Sequence, residues 1–533
     1  MATLSFKGKS IIQNYHLAVK YHELIPAKKN SLTNKVSLKD NLIIHGDNLK
    51  ALKALLPTYA GKIKCIYIDP PYNTGTEGWK YNDNVNSPMM QEWLGKVVDR
   101  EDLTRHDKWL CMMMPRLRLL RDLLRPDGVI YVNIDDNEIQ HLKVIMNEIF
   151  GEERNLATFV WKKKATSTNV RGTQISSQTD YVLAYGRTDS AVIRQRTRSK
   201  ETRKYPFKDE EGNYRLDIIE KKHAGSYARE SMRFPILGVH PREGKRWQIG
   251  EETARDLERR NRLTIHNGIV KRKIYDYEDV DTFSAQPNLL DNHGTSDSAQ
   301  RMLTDIFGRP EAFDNPKPIE LIEHLCSLVC DRSDFILDSF AGSATTAHAV
   351  LDLNKKDDGR RKFILVECED YADEITAERV RRVIKGVPNA RDERLKAGLG
   401  GSFSYFELGG PIEMESILAG NRLPGYLDLA RYVFYTATGE EFLPEQVDED
   451  RHFIGESKEY EVYLFYKPDL DYLKSTALTL EVSKTLGDYT GKKKLVFAPT
   501  KYLDLNDSEL LAKHGLKDIE YCQLPFEIYK LKE

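Results

Sequence analysis

The 533-residue chain has no C-x-x-C pair, and its six cysteines stand singly apart from Cys326 and Cys330, one helical turn apart. This argues against a zinc ribbon and a disulfide framework, so no metal site is expected and a reducing cytoplasm is the expected location. No apolar run approaches the ~18 residues of a membrane span. The first residues, Met1-Ala-Thr-Leu-Ser-Phe-Lys7, lack the apolar stretch of a signal peptide. There is no G-x-x-x-x-G-K-[ST] and no G-x-G-x-x-G, which excludes a P-loop motor and weakens a nicotinamide enzyme. Net charge is nearly absent too: 80 Lys+Arg against 82 Asp+Glu leave −2. Such a balance argues against a nucleic-acid binder, provided the charge is evenly spread.

The charge is uneven. Arg154 to Lys273 holds 28 Lys/Arg and 14 Asp/Glu, a net of +14, whereas Gly401 to Glu533 holds 15 against 24, a net of −9. The basic block interleaves cations with aromatics in Trp161-Lys162-Lys163-Lys164, Arg194-Gln-Arg196-Thr-Arg198, Arg203-Lys-Tyr205-Pro-Phe207 and Lys245-Arg246-Trp247. Cations of this kind track phosphates, and aromatic faces can reach bases. A solvated, loop-rich insertion has the same composition, so the block needs a context before it means DNA.

Hydrophobic residues at 40% and charged residues at 30% indicate a globular protein. At ~100–200 residues per domain the length allows roughly three to four units. Buried strands are predicted at 41–47, 63–69, 128–135, 335–338 and 362–367, each ending in a polar residue, with helices at 107–124, 138–150 and 318–329. The alternation indicates an α/β fold with a parallel sheet covered on both faces. Two further strand-like runs, 156–161 and 180–185, precede the basic insertion, and strands resume after it. The expected division is an extension over 1–40, a first sheet half over 41–186, an insertion over 187–300, a second half over 301–395 and a C-terminal α+β domain over 401–533.

In open α/β sheets ligands bind beyond the carboxyl ends of the strands. Two loops there are specialised. Asp69-Pro70-Pro71-Tyr72, followed by Asn73-Thr-Gly75, holds a carboxylate, a free carbonyl and an aromatic ring on a turn stiffened by two prolines. It suits a planar amine, with Asp69 and the Pro70 carbonyl accepting its hydrogens and Tyr72 stacking on the ring; an ordinary Pro-Pro turn capped by an aspartate is the plainer alternative. The second loop, Asp338-Ser-Phe340-Ala341-Gly342-Ser343-Ala344-Thr345-Thr346, follows a strand and opens a helix, where small residues and free N–H groups let a cofactor approach. Glu367 ends the next strand, the expected place for an acid that accepts ribose hydroxyls.

Together the two loops resemble the amino-methyltransferases that use S-adenosylmethionine, with Asp-Pro-Pro-Tyr as the catalytic motif and Phe-Ala-Gly-Ser as the cofactor loop. The order (catalytic motif, long insertion, cofactor loop) resembles the β class of DNA adenine-N6 methyltransferases, whose insertion is the target-recognition domain. His45-Gly-Asp-Asn-Leu49, 107–117, 127–136 and Asn315-Pro-Lys-Pro-Ile-Glu-Leu-Ile322 extend the likeness. Residues 79–87 and 523–529 look like the modification subunits of type III restriction–modification systems. The resemblance implies a Rossmann-like methyltransferase sheet, S-adenosyl-L-methionine as cofactor and methylation of a flipped adenine in duplex DNA. It also implies a nuclease–helicase partner, and a homodimer is expected.

It further implies that Phe340, Ala341, Gly342, Ser343 and Thr345 line the cofactor, with Asp338 near its amino-acid end and Glu367 on the ribose. Asp47 would approach the adenine and Lys317 the carboxylate, against plainer roles as a loop cap and a helix-start charge. Lys162, Lys163, Lys164, Arg194, Arg196, Arg198, Arg203, Lys245 and Arg246 are the expected DNA contacts. His45 reads as a strand-end hydrogen bonder and Met112–Met114 as helix core. Ala344 stands where the family's loop has a second glycine, a change expected to be tolerated at a helix-opening residue. Alternatives are an N4-cytosine or RNA methyltransferase, or a DNA-targeting scaffold for a nuclease–helicase partner docked on the acidic C-terminal unit.

Overall fold

A computed structural model describes residues 4–73, 105–167, 174–310, 312–412, 423–487, 489–503, 505 and 516–524, and the side chains of Arg198, Leu470 and Lys474 lie outside the description. The stretches 74–75, 79–87 and 525–529 singled out above also lie outside it.

The largest sheet has ten strands, in chain order β1 (His22–Pro26), β2 (Leu42–His45), β3 (Ile63–Ile68), β4 (Leu124–Ile134), β5 (Asn155–Lys162), β6 (Thr179–Gly186), β7 (Leu289–Leu290), β8 (Phe335–Asp338), β9 (Lys362–Glu367) and β10 (Ser404–Pro411). They lie side by side as β1-β10-β2-β9-β8-β3-β4-β6-β5-β7. The six from β10 to β4 run parallel. Their Ile, Leu and Val side chains, the half-buried Leu408 of β10 excepted, are buried on both faces, as parallel strands between helix layers require. One core layer gathers around Leu55, Met113, Ile130 and Ile145, the other around Leu321, Val350 and Val380.

The sheet is mixed rather than wholly parallel. β6 runs antiparallel to β4, β5 antiparallel to β6, and β1 antiparallel to β10. This has a direct consequence for the site: the start of β6 and the end of β5 reach the same edge as the carboxyl ends of β2, β9, β8, β3 and β4. The runs at 156–161 and 180–185 are therefore sheet strands.

Helices Arg105–Leu123, Ile139–Phe150, Ile319–Ser327 and Thr345–Asp357 cover the strands. The first ends at Leu123 and passes directly into β4, which begins at Leu124, four residues before the predicted start. Pro318 is the N-cap of the third. Met112, Met113 and Met114 are buried in the core, as expected.

The insertion is a separate compact unit, Arg194–Pro287. It holds a four-stranded antiparallel sheet (Phe207–Asp209, Gly212–Ile218, Leu263–His266, Ile269–Tyr275) and a small core of Ile219, Ile236, Trp247, Ala254, Leu257, Leu263 and Val270. Two short ribbons pair Glu220–Lys222 with Lys245–Trp247 and Arg196–Arg198 with Thr282–Ser284.

A further four-stranded sheet, Phe453–Glu456, Tyr460–Leu464, Lys493–Ala498 and Ile519–Gln523, forms toward the C-terminus. The expected boundaries at 40 and 401 do not follow the sheet. β1 lies within the expected extension and β10 beyond residue 401, yet they pair with each other and β10 pairs with β2. The Gly398-Leu-Gly-Gly-Ser402 run, which reads in the sequence as a linker between the 301–395 and 401–533 units, leads directly into β10 of this sheet.

Candidate active site

The permuted motif order acquires its meaning from one pairing. β3, from the first half of the chain, lies parallel beside β8, from the second, with Ile66 opposite Leu337. The Asp69–Tyr72 turn and the Ser339–Ala344 loop therefore leave neighbouring strands at the same edge. The β9–β2 pair adds Glu367 and, two residues past His45, Asp47. Carboxylates from five chain segments gather there, counting Asp180 at the start of β6.

Asp69 is the hub of the first cluster. Its Oδ1 accepts from the Tyr72 hydroxyl at 2.9 Å and from Asn133 Nδ2 at 3.1 Å, and its Oδ2 accepts from Lys317 Nζ. Asn133, fully buried at the end of β4, also contacts the Tyr72 hydroxyl, and its own Oδ1 is buried without a hydrogen-bond partner. The turn is fixed from below, where Trp109 Nε1 donates to the Pro71 carbonyl at 2.7 Å. Lys317 lies over the Tyr72 ring with Nζ 5.2 Å from its centroid, so it stands on the Asp69–Tyr72 turn.

Asp180 closes the cluster. Burial holds its carboxyl above the usual range, opposed by Lys163, whose ammonium donates to it at 2.6 Å. Lys163 is expected, with Lys162 and Lys164, to contact DNA, but the register Trp161↔Asp180 brings it to the aspartate instead. Burial also raises the Tyr72 hydroxyl well above its ordinary value, reinforced by Asp69 and Asp180, so it stays protonated and donates.

In the second loop Asp338 is 3% exposed and accepts from Phe340 N–H at 3.0 Å and Thr346 Oγ1 at 2.5 Å. Burial pushes its carboxyl up to about 7; these hydrogen bonds oppose the shift, and the Asp69 and Glu367 charges add to it. Glu367, 1% exposed, accepts from the Gly342, Cys368 and Glu369 N–H groups at 2.7, 2.9 and 3.0 Å. Its carboxyl is raised by burial against the pull of those three donors. Phe340, Ala341, Ser343 and Thr345 are all buried.

Gly342 has φ +49°, and a Cβ there would come 3.1 Å from the Phe313 ring, so the position favours glycine. Ala344 sits at φ 61°, ψ 37°, in the left-handed region. It opens the helix in a backbone conformation that glycine adopts more readily than alanine.

Four residues that no sequence motif marks as catalytic complete the edge: Asn133, Asp180, Asn48 and Arg379. Asn48 Nδ2 donates to the Ser339 carbonyl at 3.0 Å while its Oδ1 accepts from Arg116 Nε at 2.6 Å. Arg379, 1% exposed, donates to the Ser343 carbonyl, Ser343 Oγ and Thr345 Oγ1 at 2.8–3.1 Å. Burial lowers its guanidinium to about 9. Of the four, Asn48 and Asn133 have a nearby signal, the His45-Gly-Asp-Asn-Leu49 and 127–136 stretches. Asp47 caps the helix Asn48–Tyr59 by accepting from Lys50 N–H at 2.9 Å, and His45 pairs with Glu407 at 2.8 Å as a strand-end hydrogen bonder.

The expected DNA contacts of the inserted unit divide into two groups. Arg194 and Arg196 are exposed and Lys245 is half-buried. Arg203 and Arg246, expected to face DNA, turn inward. Arg203, with its side chain 5% exposed, pairs with Asp279, which also holds Arg215 and the Tyr205 hydroxyl. Arg246 donates to the Tyr227 and Trp247 carbonyls at 2.8 and 2.9 Å. Trp161 and Trp247, aromatics of the basic block that could have reached bases, are fully buried and donate to backbone carbonyls. In a unit with so small a core, inward cations and an indole help to hold the fold.

A sheet edge carrying this pair of loops defines a methyltransferase-type site, and sequence comparison agrees. The N6_N4_Mtase model, described as DNA methylase, matches residues 63–378, and the chain belongs to that family. It is similar to the type III restriction-modification enzyme StyLTI Mod subunit of Salmonella typhimurium, at 32% identity over 74% of this chain and 62% of that protein. The EcoP15I Mod subunit of Escherichia coli is 29% identical over 62% of this chain and 58% of its own length. The type II methyltransferase M.KpnI of Klebsiella pneumoniae is 34% identical over 60% of this chain and 79% of its own. The chain thus spans about three fifths of the two Mod subunits. No described helix is long and apolar enough to cross a membrane.

Proposed function

We propose that the protein transfers a methyl group from S-adenosyl-L-methionine to the N6 amino group of an adenine flipped out of duplex DNA. The observation that carries this reading is the placement of Asp69 and the Ser339–Ala344 loop at the ends of adjacent parallel strands. The edge fits the cofactor: buried Asp338 and Glu367 suit a ligand bearing an ammonium and ribose hydroxyls. Ser339 Oγ is buried without a partner. Asp338, Glu367, Asp47 and residues 340–345 would hold it. When bound, the cofactor supplies an electrophilic methyl on a sulfonium that leaves as a thioether.

The remaining work falls to the protein. The adenine amino lone pair is delocalised into the ring, and inside a duplex the base is unreachable, so it must be flipped at a cost of a few kcal/mol. Asp69 and the Pro70 carbonyl accept the amino hydrogens, which localises the lone pair on nitrogen, and Asp69 stands where it can take the proton released after the N–C bond forms. Tyr72, fixed by Asn133 and the Asp69–Asp180 pair, replaces the lost stacking. Lys317 holds the Asp69 oxygen that the entering amine would claim. The reaction is governed by positioning and electrostatics, without a covalent enzyme intermediate.

The exposed cations of the inserted unit, Arg194 and Arg196, with Lys164 of the larger one, support phosphate contact. The Mod-subunit relatives support a place as the modification half of a cytoplasmic restriction–modification pair, with a separate nuclease–helicase subunit and a second copy of this chain as partners. The deciding experiment is labelled-methyl transfer to duplexes offering only adenine or only cytosine targets. Asp69→Ala should lose at least about 10³-fold in transfer (~4 kcal/mol) while keeping cofactor affinity. A mutant that still methylates, or transfer to cytosine alone, would overturn the assignment.

A further inference from the structure

Beside the catalytic turn lies a cluster for which the proposed transfer has no use. Glu138 is fully buried at the start of the helix Ile139–Phe150. One of its oxygens faces His106 Nδ1 at 2.6 Å and the Asn73 carboxamide, and the other faces His141 Nδ1 at 2.9 Å. The two imidazole rings lie 4.8 Å apart, and the three candidate ligand atoms all fall within 4.8 Å of one another. Among the described residues no lysine or arginine pairs with this carboxylate. With no lysine or arginine there, a fully buried carboxylate draws its compensating cation either from a protonated imidazole or from a bound ion. The His106 and His141 side chains are 33% and 27% exposed, so the cluster is open on the imidazole side.

From these observations we infer that His106, Glu138 and His141 form a binding site for a divalent first-row transition ion such as zinc, manganese or cobalt. Two imidazoles and one carboxylate are a borderline ligand set suited to such ions, and three protein ligands leave positions for water. Ligand–ligand distances of 2.6 and 2.9 Å have only to open slightly to admit an ion with bonds of ~2.0–2.2 Å. The ion would neutralise Glu138 and fix His106 of the helix Arg105–Leu123 against the start of the next helix. Asn73, the residue after Tyr72, contacts the same carboxylate. The ion therefore anchors the exit of the catalytic turn and takes no part in the transfer. In the sequence only Glu138-x-x-His141 is visible, a helical i, i+3 pair, because His106 lies 32 positions upstream of Glu138.

The test uses the tag-free, metal-stripped full chain titrated with Co²⁺ alone. The expected result is one equivalent bound, with visible d–d absorption and no thiolate-to-cobalt charge-transfer bands. His141→Ala and His106→Ala should each weaken binding by at least about 10-fold, and Glu138→Gln by at least as much. Both histidines are partly exposed, which makes their variants safer for folding than a change at the buried Glu138. Co²⁺ should also raise the thermal midpoint of the parent chain and not that of His141→Ala. Thiolate bands would move the ion to the fully buried Cys65–Cys326–Cys330 cluster and overturn the inference. Absence of saturable binding, or equal affinity in the parent and His141→Ala, would overturn it as well. None of these readouts depends on methylation, so failure here is separable from failure of the transferase reading.

Discussion

At the carboxyl edge of the ten-stranded sheet the charges are held by partners from across the chain or from their own loop: Asp69 by Lys317, Asp180 by Lys163, Asp338 by the loop it opens. In the 194–287 unit charge is abundant but layered. A buried hub of Asp279 with Arg203 and Arg215 holds the fold, and cations such as Arg194 and Arg196 stand in solvent. The first arrangement fixes reactive groups where burial makes electrostatics strong; the second presents a field that water and salt screen. Residue type alone does not distinguish them, since Lys163 and Arg196 come from the same basic block. Strand register does. A lysine at the end of β5 belongs to the catalytic edge, and an arginine on the Arg196–Arg198 ribbon belongs to the surface.

Substitution on the two sides should break that block into two functions. Lys163→Ala leaves Asp180 buried and uncompensated beside Tyr72, and it should lower the rate at saturating DNA by about 10²-fold. The Arg194→Ala/Arg196→Ala pair should leave that saturated rate unchanged. It should weaken DNA binding and reduce the log-affinity against log-salt slope by about 0.9 for each phosphate that is no longer neutralised. A Lys163 variant impaired only in DNA affinity would erase the distinction drawn from the register. The assay is single-turnover transfer combined with binding titrations at several salt concentrations.

A smaller effect separates the two regions by pH. Asp338 is raised by burial to about 7, whereas the carboxyl of Asp279 is held well below its usual range by Arg215. An acid whose folded value lies above its unfolded one binds more protons when folded. Stability therefore falls as pH rises from about 4 to 7 through this group. The charged form, present above about 7, is the one that attracts a cationic cofactor. Cofactor affinity should accordingly weaken as pH drops below about 7, by up to about tenfold per unit, and Asp338→Asn should flatten the profile. DNA binding by the inserted unit should show no step from Asp279 in that window. Calorimetric titration of cofactor across pH tests this directly.

The same contrasts explain which parts of the site are legible in the sequence. Asp69–Tyr72 and Asp338–Thr345 are legible because each is a contiguous stretch at the end of a strand predicted by its Ile, Leu and Val content. Asn133 is visible only as a member of the 127–136 stretch, without a role. Asp180 and Arg379 are not legible, because each reaches the site from another segment. Asp180 does so only because β6 runs antiparallel, a fact no local pattern carries. β10 escapes prediction because a Gly-rich connection looks the same whether it leads out of a domain or back into its sheet. Arg203 and Arg246 resemble DNA contacts in the sequence because burial of an arginine depends on distant partners, such as Asp279, 76 residues from Arg203.

The smallest expected effect concerns Ala344, whose backbone lies in the left-handed region at φ 61°. An alanine there carries a penalty of roughly 1–2 kcal/mol relative to its right-handed form, which glycine escapes. Ala344→Gly removes that strain, but it also removes a methyl that is fully buried in the core beneath the loop and adds freedom to the unfolded chain. The terms oppose each other, so the net change in stability should stay within about 1 kcal/mol. Cofactor affinity should be unchanged, because the hydrogen bonds from Arg379 to Ser343 and Thr345, and from Gly342 to Glu367, do not involve the methyl. Denaturant unfolding with and without cofactor measures both quantities. A destabilisation well above 1 kcal/mol would mean that the methyl packs the loop against the sheet more tightly than the strain opposes, and a gain in affinity would mean that the alanine distorts the cofactor loop itself.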